Sequence, residues 1–133
     1  MTVQNTKLDT SQYTGSSVFI RFGFSKSVMT EGVAYIAHEM EAHWLVQDID
    51  LFIRNYVRTQ AKDGSGGFFV VTLEKDGDKG ATLTFEDGNG EFYFMHPYEY
   101  TSFDFSRVDD EKLTLWVQEN EINSYTIFLP SEY

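Results

Sequence analysis

The chain contains no cysteine. That absence excludes disulfides, thiolate nucleophiles, iron–sulfur clusters and cysteine-ligated zinc. Basic residues are scarce as well: 10 Lys and Arg stand against 21 Asp and Glu, a formal net charge of −11. Histidine occurs three times and proline twice. No stretch reaches the roughly 18 to 20 apolar residues of a membrane helix. The opening MTVQNTKLDTSQ has neither the basic nor the apolar region of a secretion signal. These gaps predict a soluble cytoplasmic protein with no membrane partner. What the chain does have is core material: 133 residues, 41% of them hydrophobic and 17% aromatic, fit a single domain over residues 1–133.

The charge is unevenly spread. Residues 1–62 hold six of the 21 acids and six of the 10 bases, so the remaining 15 acids meet only four bases in residues 63–133. A surface of that sign repels phosphate backbones and attracts basic partners. Direct nucleic-acid binding is not expected.

Hydrophobic period changes at the same place as charge. Thr30 has the chemistry of a helix cap with Glu31 in the first turn, and Val33, Ile36, Ala37 and Met40 follow on one helical face. Ala42, Leu45, Val46, Ile49, Phe52, Ile53 and Tyr56 continue the period, with two helices, or one bent near 40–42, as the reading. VFIRFGFS (18–25) stays ambiguous between strand and buried helix. After KDGSGG the period becomes two, which predicts strands at about 67–75, 81–86, 91–100, 112–117 and 124–129. KDGDKG and EDGNG supply hairpin chemistry, so the first three strands should form a meander. The expected fold class is α+β: N-terminal helices, in a helical part of about 1–62, packed on one face of an antiparallel sheet of about five strands spanning about 67–133.

Several motifs fall short of a chemistry. In HEMEAHW (38–44) the histidines His38 and His43 are five apart, about 140° around a helix, whereas H-E-x-x-H needs two rings on one face. The turns at Asp76 and Asp87 lack the Gly and Glu that a calcium loop requires at its sixth and twelfth positions. There is no G-x-S-x-G elbow and no phosphate loop. No metal site, cofactor or catalytic set is assigned. The strand EFYFMHPYEY (91–100) is apolar on both faces; it is either central and buried, or one face is open and Tyr93, Met95 and Trp116 form a docking surface rimmed by Glu91, Glu99 and the Asp109–Asp110–Glu111 run. The loop TSFDFSRVDDE carries acids beside two phenylalanines, a common setting for function.

YTGSS (13–17), TEGVAYIAHE with AHWLVQDI (30–49), ATLTFEDGNG (81–90), YEYTSFDF (98–105) and LPSEY (129–133) together resemble a domain family of unknown function found in small proteins of bacteria, phages and mobile elements. The resemblance implies a shared fold and an occasional mobile-element setting, and it supplies no catalytic residue.

The function expected from these features is a non-enzymatic acidic binding protein. Its sharpest form is a phage or mobile-element inhibitor, anti-defence in kind, that mimics nucleic-acid charge to block a basic nucleic-acid-binding host protein. The expected carriers are Asp104, Asp109, Asp110, Glu111, Glu119 and Glu121, with Tyr93 and Trp116 as anchors. The alternatives are a module that self-associates as a homodimer through its helices or an edge strand, a solubilising role for the acids alone, and a small metal-assisted hydrolase using His38, His43 or His96.

Overall fold

A computed structural model describes residues 7–11, 13, 19–22, 26–59, 67–120 and 124–132. In chain order they form β1 (Phe19–Arg21), β2 (Val28–Thr30), α1 (Glu31–Glu39), α2 (His43–Thr59), β3 (Phe68–Asp76), β4 (Gly80–Glu86), β5 (Phe92–Tyr98), β6 (Lys112–Glu119) and β7 (Tyr125–Phe128), with three short 3-10 turns near the C-terminal half's loops. All seven strands join one sheet in the order β1-β2-β7-β6-β3-β4-β5. The β2–β7 pair is parallel and the other pairs are antiparallel.

This corrects the expected antiparallel sheet of about five strands under N-terminal helices. The sheet has seven strands and is mixed, and two strands precede the helices. The reason is physical. β1 and β2 are three residues each, too short to show a period, and β2 becomes a strand by pairing with β7, about a hundred residues away. Local alternation carries no information on such a partner.

The helices begin and end for local reasons. Thr30 closes β2 and opens α1, its Oγ1 accepting from the Val33 N–H at 3.4 Å. Glu41 adopts φ 50°, which ends the first helical run and lets α2 start in a new direction. Val33, Ile36 and Ala37 of α1 and Leu45, Val46, Ile49 and Ile53 of α2 are buried. They pack on the odd-numbered positions of the central strands, Phe69, Val71, Leu73, Leu83, Phe85, Leu115 and Val117, in one core. Each such side chain contributes roughly 1.5–3 kcal/mol by leaving water.

Two polar devices lock the layers. Ser27, Asp50 and Ser124 are buried, and Arg54 joins them: its Nε donates to Asp50 Oδ2 at 3.0 Å, and its terminal nitrogen donates to Ser27 Oγ at 2.9 Å and also to Ser124 Oγ. Ser27 Oγ accepts in addition from the Tyr125 N–H at 3.2 Å. The network ties α2 to the entrances of β2 and β7, the parallel pair. At the chain's end, Glu132 accepts from Thr30 Oγ1 at 2.6 Å, the Leu129 N–H at 2.9 Å and the Gly32 N–H at 3.3 Å. A carboxylate thus sits on the N-terminus of α1, where helix N–H groups and dipole favour it.

Candidate functional site

Helices cover one face of the sheet, so alternation turns the intervening residues to the other. Phe68, Val70 and Thr72 of β3 face that way with Thr114, Trp116 and Gln118 of β6, because these residues are paired partners across the strands. Thr84 of β4 pairs with Met95 of β5, and Trp116 pairs with Phe128 of β7. The buried residues of α1 and α2 pack on the opposite face, in the core, while the short turn Pro130–Glu132 lies beside β6 at one side. The centre of this open face is a row of rings, Phe68 and Trp116 half-buried and Phe128 buried: Phe68 to Trp116 at 5.6 Å and 75°, then Trp116 to Phe128 at 6.1 Å and 84°, edge-to-face geometries that favour aromatic contact. Toward the sheet edges Met95 is 53% exposed, Phe92 55% and Phe19 53%. Glu74, Lys112 and Glu86 share the phase of this face toward the strand ends.

Beside this row, β1, β2, β7 and the end of β6 leave a groove of about 370 Å³ lined by Phe19, Thr30, Gln118, Glu119, Thr126, Phe128 and Glu132. Two carboxylates and no basic group line it.

The residues expected to carry function are separated by the fold. Asp104, Asp109, Asp110 and Glu111 lie in the loop before β6, while Glu119 ends that strand, about 23 Å away at ~3.3 Å per residue. The loop acids do not form a bare negative row. Glu111 pairs with Lys75 at 3.2 Å and Asp109 with Lys7 at 3.8 Å, and the neighbouring cavity of about 390 Å³ is lined by Lys7, Lys75 and Lys79 as well as Asp78, Asp104, Asp110 and Glu111. Asp104 is occupied locally, accepting from the N–H and hydroxyl of Ser106. Phe103 and Phe105 of the same loop are buried core residues, so this segment plugs one end of the core. Asp110 and Glu111 hold φ of 57° and 55°, a region that side chains other than Gly seldom occupy. Glu121 lies outside the described residues.

Trp116 is on the open face, but Tyr93 is not. The β4–β5 register shifts at Phe85/Glu86, so Phe94 pairs with Phe85 and Phe92 with Glu86. Tyr93 is the extra residue of this bulge, and its ring packs 5.2 Å from Tyr56 and 5.3 Å from Phe69 on the helix side. Phe92 is displaced to the open side instead. A strict period of two had paired Tyr93 with Met95; one inserted residue reverses that. Sequence reasoning also missed Phe68, Phe128 and Phe19. The available signal was the second phase of β3 and β6, where Phe68/Val70 and Trp116 make strands apolar on both faces.

The other candidate chemistries have structural explanations. His38 and His43 are exposed on two different helices, and the His96 ring lies 4.6 Å from Phe52 and 4.8 Å from Tyr98. Among the described residues no three His, Asp or Glu gather as a metal-holding group. The Asp87 carboxylate accepts from the Asn89 and Glu91 N–H groups at 2.7 and 2.9 Å, which is turn chemistry. Tyr98 donates to Asp48 Oδ2 at 2.7 Å; burial, then that bond and the charge of Asp48, push its hydroxyl pKa far up. Tyr125 is also raised, by burial and by the charge of Glu119, with Arg54 opposing and Asp50 reinforcing. No described helix is long and apolar enough to cross a membrane.

A family profile matches residues 4–133, nearly the whole chain. The chain belongs to DUF6876, a family of unknown function. No curated protein and no solved structure matches it. Two stretches singled out in the sequence, TEGVAYIAHE and LPSEY, meet in this DUF6876 chain at the Glu132 carboxylate. A Cβ on Gly32 would stand 2.6 Å from Leu129 Cδ1 and 2.9 Å from Glu132 Oε1, so glycine permits that approach.

Proposed function

We propose that this DUF6876 chain is a non-enzymatic binding protein and that the open face of its sheet is where a protein partner docks. The observation that carries the reading is the face itself: an aromatic row of Phe68, Trp116 and Phe128 among threonines, exposed Phe92, Met95 and Phe19 at the margins. Aromatic and methionine side chains are enriched at interface centres. The net charge of −11 favours a basic partner.

Mimicry of nucleic-acid charge is a narrower version of the same reading. The overall charge supports it, while the lysine partners of Asp109 and Glu111 argue against the loop before β6 as the mimic. Any such role falls to the other end of the strands, where Glu119 lies.

The test compares capture from host lysate by the wild type and by a Phe92→Asp/Met95→Asp variant. Both positions are more than half exposed, so the expected cost to stability is within ~0.5 kcal/mol. A partner retained by the wild type and lost by the variant, at equal melting temperature, is the expected result. Identical capture by both proteins overturns the assignment of the face.

A further inference from the structure

We infer that the outer edge of β5 takes an extended segment of the docking partner as an added strand, one that carries basic residues on either side of its centre. This rests on the open face being the interface and names how the partner attaches at its margin. β5 ends the sheet on one side, with seven residues against the three of β1 on the other. Which of its backbone groups point outward follows from the ladder, because residues of an antiparallel strand aim N–H and C=O alternately at one neighbour and the other. The Glu119 N–H donates to the Gly67 C=O at 2.8 Å, so the odd-numbered residues of β3 and β6 bond each other, Phe69 with Val117 and Val71 with Leu115. Val70, Thr72 and Glu74 then serve β4, and Ala81, Leu83 and Phe85 bond Tyr98, His96 and Phe94. The N–H and C=O of Met95 and the C=O of Pro97 are left facing away from the sheet. Pro97, which has no N–H, thus sits where the ladder needs none. No backbone bond from a described residue occupies these three groups.

A bare edge is commonly guarded by lysines that discourage pairing. β5 contains no Lys or Arg; Met95 and Phe92 are more than half exposed along it, and Tyr100 just beyond is 72% exposed. The bulge beside Phe92 and the ring of Pro97 bound the free stretch, which fixes the register of an incoming strand. One residue opposite Met95 exchanges two hydrogen bonds with it, and a second donates to the Pro97 C=O. The charges flanking this stretch are of one sign. Glu91 and Glu99 are exposed immediately before and after the strand, each about 13 Å from Met95 at ~3.3 Å per residue. Neither forms an ion pair with a described residue. A second copy of this chain fits poorly, since antiparallel pairing about Met95 sets Glu91 of each copy against Glu99 of the other, and directly opposed like charges are destabilising. Lysine or arginine at those positions of a partner strand turns both repulsions into attractions.

The test uses the isotopically labelled full chain and a capped peptide as long as Glu91–Glu99, of alternating valine and threonine between terminal lysines. Saturable amide shifts are expected at Met95 and its neighbours, and exchange of the Met95 N–H should slow about tenfold with the peptide at about ten times its Kd. Met95→Pro removes that N–H without breaking a bond inside the sheet and should abolish binding; Met95→Thr keeps it and should bind as the wild type does. The same peptide with glutamate ends should fail to bind the wild type and should bind a Glu91→Lys/Glu99→Lys variant, a measurement that stands even where Met95→Pro does not fold. Unchanged Met95 exchange, binding by folded Met95→Pro, or equal binding of the two peptides overturns the inference. So does a dimer in sedimentation that Met95→Pro disperses, which makes a second copy the occupant. Lysate capture separates the inference from the reading beneath. Loss with Phe92→Asp/Met95→Asp but not with Met95→Pro keeps the face and overturns the edge. Capture unaffected by either variant overturns both.

Discussion

Single side chains in this protein are held mostly by carboxylates acting on the backbone or on arginine, and that is where substitutions will be felt. Asp50 is 8% exposed and receives the Arg54 Nε at 3.0 Å. Arg54→Met removes the guanidinium that Asp50, Ser27 and Ser124 share and leaves the buried acid with the Ser27 hydroxyl as its donor, and breaking such a pair costs about 3 kcal/mol. Urea denaturation should show it as a lower midpoint at unchanged slope; a loss below ~1 kcal/mol would mean that water replaces the guanidinium. Gly32→Ala gains helix propensity but drives a methyl into Leu129, a buried residue. The expected net effect is a destabilisation of about 1–2 kcal/mol, read in the same experiment. Tyr98 and Tyr125 both have folded-state pKa values above the ordinary 10.0. Their contribution is complete below the unfolded value, near 10, and is lost as pH rises from there toward the folded values. Stability should therefore fall above about pH 10, and Tyr98→Phe should make that fall shallower when denaturation midpoints are followed with pH.

At the scale of elements, what was readable depended on length. β3, β4 and β6 run seven to nine residues, long enough for alternation to show, and the two helices carry clean amphipathic spacing with Thr30 as a cap. β1 and β2, at three residues each, are strands only because a neighbour accepts them. The bulge in β5 is another fact of pairing, and it moved Tyr93 under α2. Gly80 shows how tightly that hairpin is closed: a Cβ there would lie 2.5 Å from the backbone oxygen of Tyr98. Backbone cannot step aside as a side chain does, so Gly80→Ala should cost more than about 2 kcal/mol. Amide exchange should then rise selectively across β4 and β5; protection left intact there would show that the hairpin absorbs the methyl.

For the molecule as a whole, the excess of acids is a strain on the folded state. Compacting a chain of net charge −11 concentrates its self-repulsion. Raising sodium chloride from about 10 mM to about 300 mM shortens the reach of those charges several-fold. The thermal midpoint should rise by a few degrees over that range. A fall would show that ion pairs such as Lys75–Glu111 and Arg107–Glu39 matter more to stability than the repulsion does.

The amino-acid order alone determined the helical spans, the hairpin turns, the lack of thiol chemistry and the total charge, because each depends on neighbours a few residues apart or on simple counts. Which acids stand together, which ring faces water and which end of the chain caps α1 were decided by tertiary pairing. Asp109 meets Lys7, and Glu132 meets Thr30, across about a hundred residues; a one-residue bulge reversed Tyr93. Local periodicity cannot encode contacts over such separations, since they exist only once strands far apart in the chain have chosen each other.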